Sequence, residues 1–200
     1  MSSMVSRTEE IAEKRIGLTL VIHGIFLLGS SAILDVGFLL WFPINLAIEV
    51  LIILELLRMW KRYKYNSKSY YTIQVYWMLM GTAIYSVLPI LRLMYVTDAF
   101  WLVLVFTILL FIYAHLIREK IAEVFVNPKK EKSLWLLIMV FSIIVFIGVI
   151  IMAILRAKSY HPNLGLIIVL YMVGGMMLFL ATPFSVSAER FEKLKKGERV

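Results

Sequence analysis

Long apolar stretches separated by short polar segments make up most of the chain. A helix that crosses a bilayer needs about 20 predominantly apolar residues, since each residue advances about 1.5 Å through a hydrocarbon core of about 30 Å. Six stretches approach or exceed that length, at about 16–34, 38–57, 70–91, 99–117, 134–155 and 164–186. The pattern therefore predicts an all-α integral membrane protein with six transmembrane helices, numbered here as spans 1 to 6.

The connections between spans 1 and 2, 3 and 4, and 5 and 6 are only a few residues long. Connections this short force consecutive helices to pack side by side, so we expect three antiparallel hairpins. Residues 1–187 would then form a single transmembrane domain. Residues 188–200 follow as a basic amphipathic tail with Phe191 and Leu194 on one side. We expect the tail to form a short surface helix attracted to anionic lipid at the cytoplasmic face, or to dock a soluble protein.

Composition and charge placement support the same interpretation. The chain is 62% hydrophobic with a mean hydropathy of +0.88, well outside the range of soluble globular proteins. A net charge of +8 could suggest nucleic-acid binding, but all except three of the 21 Lys and Arg residues lie on one side of the six predicted spans. The exceptions are Arg92, Arg156 and Lys158. The positive-inside rule then places both termini in the cytoplasm and argues against a nucleic-acid partner.

Several functional classes lack their signatures in this sequence. The absence of cysteine excludes disulfides, thiolate catalysis and iron–sulfur clusters, and no Asn-x-Ser/Thr sequon occurs. Both absences fit a multi-pass protein of the plasma (inner) membrane of a bacterium or archaeon. We find no Gly-x-Ser-Gly run, no Gly-rich phosphate loop and no paired glutamates inside a span. We therefore predict no catalytic residues, no cofactor and no metal, while catalysis by an unfamiliar arrangement stays an open alternative. The first span is expected to be retained rather than cleaved as a signal peptide, since its charged lead is long.

One carboxylate lies deep inside an apolar run. Glu49 belongs to span 2, and a charge at that depth costs a few kcal/mol, about 2.5–3.5 on the gentlest scale, unless it faces protein or water. Asn45 precedes it by one helical turn on the same face, and Pro43 frees a nearby backbone carbonyl. Glu55 is a weaker candidate, because it lies near the cytoplasmic end and can pair with Arg58.

The expected partner of Glu49 is His23 in span 1. Both residues lie thirteen positions from Val36, which is central to the connection between spans 1 and 2. They should therefore lie at matching depth, about 12 Å from the cytoplasmic ends of their helices. The sequence predicts a buried His–Glu contact between spans 1 and 2. Thr19 and Ser30 fall on the same stripe of span 1 as His23.

Span 3 carries a second polar stripe. Spacings of seven and four put Gln74, Gly81, Tyr85 and Arg92 on one helical face. We predict a site for a substrate or ion between spans 1, 2 and 3, formed by His23, Asn45, Glu49, Gln74 and Tyr85.

Three interpretations of that site compete. It can be a structural polar clamp, in which interhelical hydrogen bonds contribute about 0.6–2 kcal/mol each. It can bind a proton, a cation or a small solute in a transporter or channel component, since histidine changes charge near neutral pH. Catalysis is the third. For the protein as a whole, the alternative to a transporter is a non-transporting subunit, either a sensor or an assembly partner, whose basic cytoplasmic loops dock another protein.

Overall fold

The computed structural model describes residues 2–34, 37–63, 65–95, 97–126 and 163–195, which are almost wholly helical. The helices in these ranges are α1 (Ser2–Ala32), α2 (Phe38–Tyr63), α3 (Ser67–Met94), α4 (Ala99–Leu116), α5 (Arg118–Val126), α6 (Leu164–Ala181), a 3-10 helix (Thr182–Ser185) and α7 (Ala188–Lys195). No strand occurs among the described residues, which confirms the all-α prediction. The predicted fifth span, at about 134–155, lies outside them.

Four of the described helical segments are long and apolar enough to cross a membrane. They are Phe38–Tyr63, Ser67–Met94, Ala99–Leu116 and Leu164–Ser185. The apolar part of α1, Ile16–Ala32, is shorter. These helices fit a multi-pass location in a membrane. The count of six spans and their orientation remain predictions.

Local sequence explains where several helices begin and end. Gly37 adopts a φ of 83° directly before α2, a left-handed conformation that glycine reaches without steric cost. At the start of α3, the Asn66 side chain accepts a hydrogen bond of 3.1 Å from the Ser69 backbone N–H, which satisfies one of the otherwise unpaired amides of the first turn. Helix α6 ends at Ala181, and the 3-10 helix begins at the next residue, Thr182. This boundary is expected because Pro183 has no backbone N–H to continue the α-helix.

Helix α3 is central in the described bundle. It packs against α1, α2, α4 and α6, and the largest of these interfaces is with α6. Gly174 allows that close approach, since an added Cβ would lie 3.0 Å from the Ala83 carbonyl oxygen of α3. Small residues commonly bring membrane helices together in this way. The expected neighbours α1–α2 and α3–α4 are also in contact.

The end of the bundle that carries α5 has a small apolar cluster of its own. Ala122 of α5, Val186 and Leu194 are buried together, and Phe191 packs against them. Arg190 donates two hydrogen bonds, of 2.9 and 3.1 Å, to one carboxylate oxygen of Glu119. The apolar side of α7 therefore packs on α5, while its lysines remain exposed.

Candidate functional site in the membrane-spanning bundle

A histidine–glutamate pair joins α1 to α2. His23 Nδ1 lies 2.9 Å from Glu49 Oε2 and 3.1 Å from Oε1. The His23 residue is 0% exposed and Glu49 is 6% exposed. The contact predicted from matching depth is therefore confirmed, whereas the role of these residues in binding remains a prediction.

Helix α3 supplies a third member, Tyr85. Its hydroxyl donates a hydrogen bond of 2.8 Å to Glu49 Oε2, and it lies 3.3 Å from the backbone oxygen of Asn45. The Tyr85 ring meets the His23 ring edge-on, with centroids 5.8 Å apart. Glu49 thus receives hydrogen bonds from two other helices, which offsets the cost of burying its charge.

The position of the His23 ring depends on the small size of Gly81 in α3. A Cβ added at Gly81 would lie 2.5 Å from His23 Nε2, closer than real side-chain contacts. The ring therefore occupies space that only glycine leaves open, and its Nε2 reaches the backbone oxygen of Met78 at 3.0 Å. This contact fixes the ring from the side opposite to Glu49.

Asn45 connects the pair to the end of α1. Its Nδ2 donates to Ser30 Oγ at 2.9 Å and to Ser31 Oγ at 2.8 Å. Both serine hydroxyls donate onward to the Leu27 carbonyl. The other amide atom, Asn45 Oδ1, is buried without a hydrogen-bond partner among the described residues. Buried acceptors of this kind are rare in folded proteins.

Gln74 lies apart from the other four predicted site residues. Its Nε2 donates to Thr19 Oγ1 at 3.2 Å, one helical turn before His23 along α1. The amide oxygen Gln74 Oε1 is buried and also finds no partner in the described part of the chain. The structure therefore joins His23, Asn45, Glu49 and Tyr85 directly, and places Gln74 one turn away.

Arg92 extends the polar face of α3 toward the end of α1. Its guanidinium donates 2.8 and 3.1 Å hydrogen bonds to the carbonyl oxygens of Ser31 and Leu34, and it lies over the Trp41 ring at 5.6 Å. The carbonyls at a helix C-terminus lack partners within the helix, and a cation there is favourable. Arg92 therefore caps α1 from α3.

Sequence reasoning missed two contributors. Ser31, which accepts a hydrogen bond from Asn45, is not among the predicted site residues, because the depth count that pairs His23 with Glu49 puts Leu27 level with Asn45. The Met78 carbonyl carries no side-chain signal, so no residue pattern points to it. Gly81 was placed on the correct face, but its role in admitting the histidine ring needs the three-dimensional packing.

A separate cavity opens at the ends of α2 and α3, with a volume of about 750 Å³. Its wall includes Glu55, Tyr63, Trp77, Arg118, Phe125 and Phe184. The pair Tyr76–His115 also lines it: the Tyr76 hydroxyl lies 3.1 Å from His115 Nε2, while His115 Nδ1 donates to the Phe111 carbonyl. As the sequence indicated, Glu55 pairs with Arg58, at 3.4 Å.

The chemistry that the His23–Glu49 cluster can support is binding and proton exchange. A carboxylate, an imidazole and a phenol converge, and two unpaired amide oxygens lie within about a turn along the helices. Within the described ranges, no group of three or more imidazole or carboxylate side chains converges in a way that could hold a metal ion. Comparison with protein-family models, with curated proteins and with solved structures found no match.

Proposed function

We propose that the protein is a component of a membrane transport system, a transporter or channel, that binds a cation, a proton or a small polar solute between α1, α2 and α3. The binding residues in this proposal are His23, Glu49, Tyr85 and Asn45, with Gln74 beside them. The proposed setting is the plasma membrane of a bacterium or archaeon, with both termini in the cytoplasm.

The observation that carries the proposal is the combination of a buried carboxylate with unpaired acceptors nearby. A polar clamp that only holds helices together is most stable when every buried acceptor is satisfied. Asn45 Oδ1 on α2, which also carries Glu49, and Gln74 Oε1 on α3 have no partner among the described residues. Acceptors left open beside a carboxylate suit a ligand that is cationic or donates hydrogen bonds.

A sensor or assembly subunit is the second candidate. The cavity of about 750 Å³ favours it, because the cavity lies at the helix ends where α5 and α7 pack and aromatic side chains line it. The basic residues expected on that side would attract anionic lipid or an acidic partner protein. In this alternative the His23–Glu49 pair only holds α1 and α2 together.

The Glu49→Gln substitution separates the candidates. Glutamine has nearly the same shape but cannot carry the charge. A transporter should stay folded and lose pH-dependent or cation-dependent uptake in liposomes. A clamp should lose thermal stability in detergent with no transport phenotype. Glu55→Gln is the matched control, since the same change is made on the same helix at a residue that pairs with Arg58 near the helix end.

Equal behaviour of both variants in both assays would rule out a special role for Glu49. Native mass spectrometry of protein purified from its own membrane gives an independent reading. A bound small molecule supports transport, and a stoichiometric protein partner supports the subunit role.

A further inference from the structure

We propose that the ion bound at this site is a proton, shared between His23 Nδ1 and the Glu49 carboxylate. This inference deepens the proposed function and rests on it for its biological meaning. Its structural basis is the hydrogen-bond geometry of one imidazole ring, both of whose nitrogens face acceptors.

The contact of His23 with the Met78 carbonyl fixes the tautomer of the ring. His23 Nε2 lies 3.0 Å from the Met78 backbone oxygen. A carbonyl oxygen only accepts hydrogen bonds, so Nε2 must carry a hydrogen. The absence of a side chain at Gly81 gives the ring the space to reach this carbonyl.

The other ring nitrogen of His23 faces the Glu49 carboxylate. His23 Nδ1 lies 2.9 and 3.1 Å from the two oxygens of Glu49. With Nε2 protonated, a neutral ring would present the Nδ1 lone pair to an anionic carboxylate at hydrogen-bonding distance. That arrangement is repulsive and leaves a net charge of −1 in a buried site. One proton between Nδ1 and the carboxylate removes both problems.

The proton can reside on either partner. On Nδ1 it makes an imidazolium paired with a carboxylate, and on Glu49 it makes a carboxylic acid that donates to a neutral imidazole. Both forms have zero net charge, so both are compatible with burial. Both residues are buried, with His23 0% and Glu49 6% exposed.

The neighbouring groups do not replace the proton. From α3, the titratable side chain facing the pair is Tyr85, which already donates its hydroxyl hydrogen to Glu49 Oε2. Arg92 lies about two turns further along α3, and its guanidinium is bound to the carbonyls of Ser31 and Leu34 at the end of α1. Among the described residues, no third imidazole or carboxylate side chain joins the pair to hold a metal ion.

Nuclear magnetic resonance of the wild-type protein tests this inference directly. The chain contains only three histidines, so ¹⁵N-histidine labelling in nanodiscs gives few imidazole signals, and His23→Gln identifies the relevant pair. Labelled ¹³C-carboxyl glutamate reports on Glu49, assigned with Glu49→Gln. At pH 7 we expect one proton on the pair, seen either as two protonated His23 nitrogens or as a protonated Glu49 carboxyl.

Exchanging choline for sodium at constant pH and ionic strength should change neither the His23 signals nor the Glu49 signal. A singly protonated His23 beside an ionised Glu49 at pH 7 would overturn the inference, and so would a sodium-dependent shift. The measurement needs no transport. If the pair holds a proton and Glu49→Gln liposomes take up solutes normally, the proton inference stands and the transport proposal fails.

Discussion

Replacing Gly81 with alanine should displace the His23 ring. The added methyl carbon would lie 2.5 Å from His23 Nε2, and the neighbouring α3 backbone cannot retreat without disturbing its interface with α6. The ring must therefore move away from the Met78 carbonyl, from Glu49, or from both. A single methyl group thus tests the packing that determines the geometry of the site.

The magnitude follows from three contributions. Overpacking a buried position costs about 1–3 kcal/mol. Loss of the His23–Met78 hydrogen bond costs about 1 kcal/mol, and weakening of the bond to a charged carboxylate about 1.5–3 kcal/mol. The better helix propensity of alanine offsets about 1 kcal/mol of this loss. The three losses less this gain give a net destabilisation of about 2.5–6 kcal/mol, which for a chain of this length lowers the Tm by about 5–24 °C.

Thermal unfolding in detergent, followed by circular dichroism, measures the effect. Gly24→Ala is the matched control, because it makes the same change next to His23 on α1 where an added Cβ meets nothing within 4 Å. The control should match wild type or exceed it slightly. Equal melting temperatures for Gly81→Ala and Gly24→Ala would refute the close approach of His23 to α3.

Three further predictions concern the surrounding bundle. Arg92→Ala should lower the Tm in detergent more than Arg92→Lys. Hydrogen bonds from a charged donor contribute about 1.5–3 kcal/mol each, and lysine can replace only some of those made by the forked guanidinium. Equal losses would contradict the capping role. Gly174→Ala should destabilise by about 1–3 kcal/mol through overpacking against α3, while Gly175→Ala, whose added Cβ lies 3.7 Å from its nearest neighbour, should be neutral in the same melts. Glu119→Gln should speed proteolysis at Arg190 in the tail. It should change global stability by less than about 1 kcal/mol, as expected for a partly exposed ion pair. Unchanged cleavage would show that the Glu119–Arg190 pair does not hold α7 on α5.

The hairpin contact was predictable from sequence because two short rules suffice. A tight connection makes neighbouring helices antiparallel, and equal rise per residue then puts residues equidistant from the connection at equal depth. His23 and Glu49 satisfy both rules. Tyr85 followed from a different rule, the spacing that aligns it with Gln74 and Gly81 on one face of α3.

No tight turn joins α1 to α3, so the sequence does not set the depth of α3 relative to α1. It therefore could not tell that Gln74 would reach Thr19 rather than His23 one turn away. A residue pattern cannot predict a backbone acceptor such as the Met78 carbonyl, because every residue has a backbone carbonyl. The packing of Phe191 on α5 was equally out of reach, since an amphipathic tail fits a membrane surface and a protein surface alike.

The polar face of α3 has a consequence for the order in which the protein is assembled. Each hydrogen bond described from this face reaches back to an earlier helix: Gln74 and Met78 to α1, Tyr85 to α2, and Arg92 to the end of α1. These partners have already been synthesised when α3 emerges from the ribosome. The side of α3 that later meets Gly174 of α6 contributes Ala83, Ser86 and Val87 at that contact. The contacts of this polar face with α1 and α2 can therefore form once the first hairpin is in place, before α6 is synthesised.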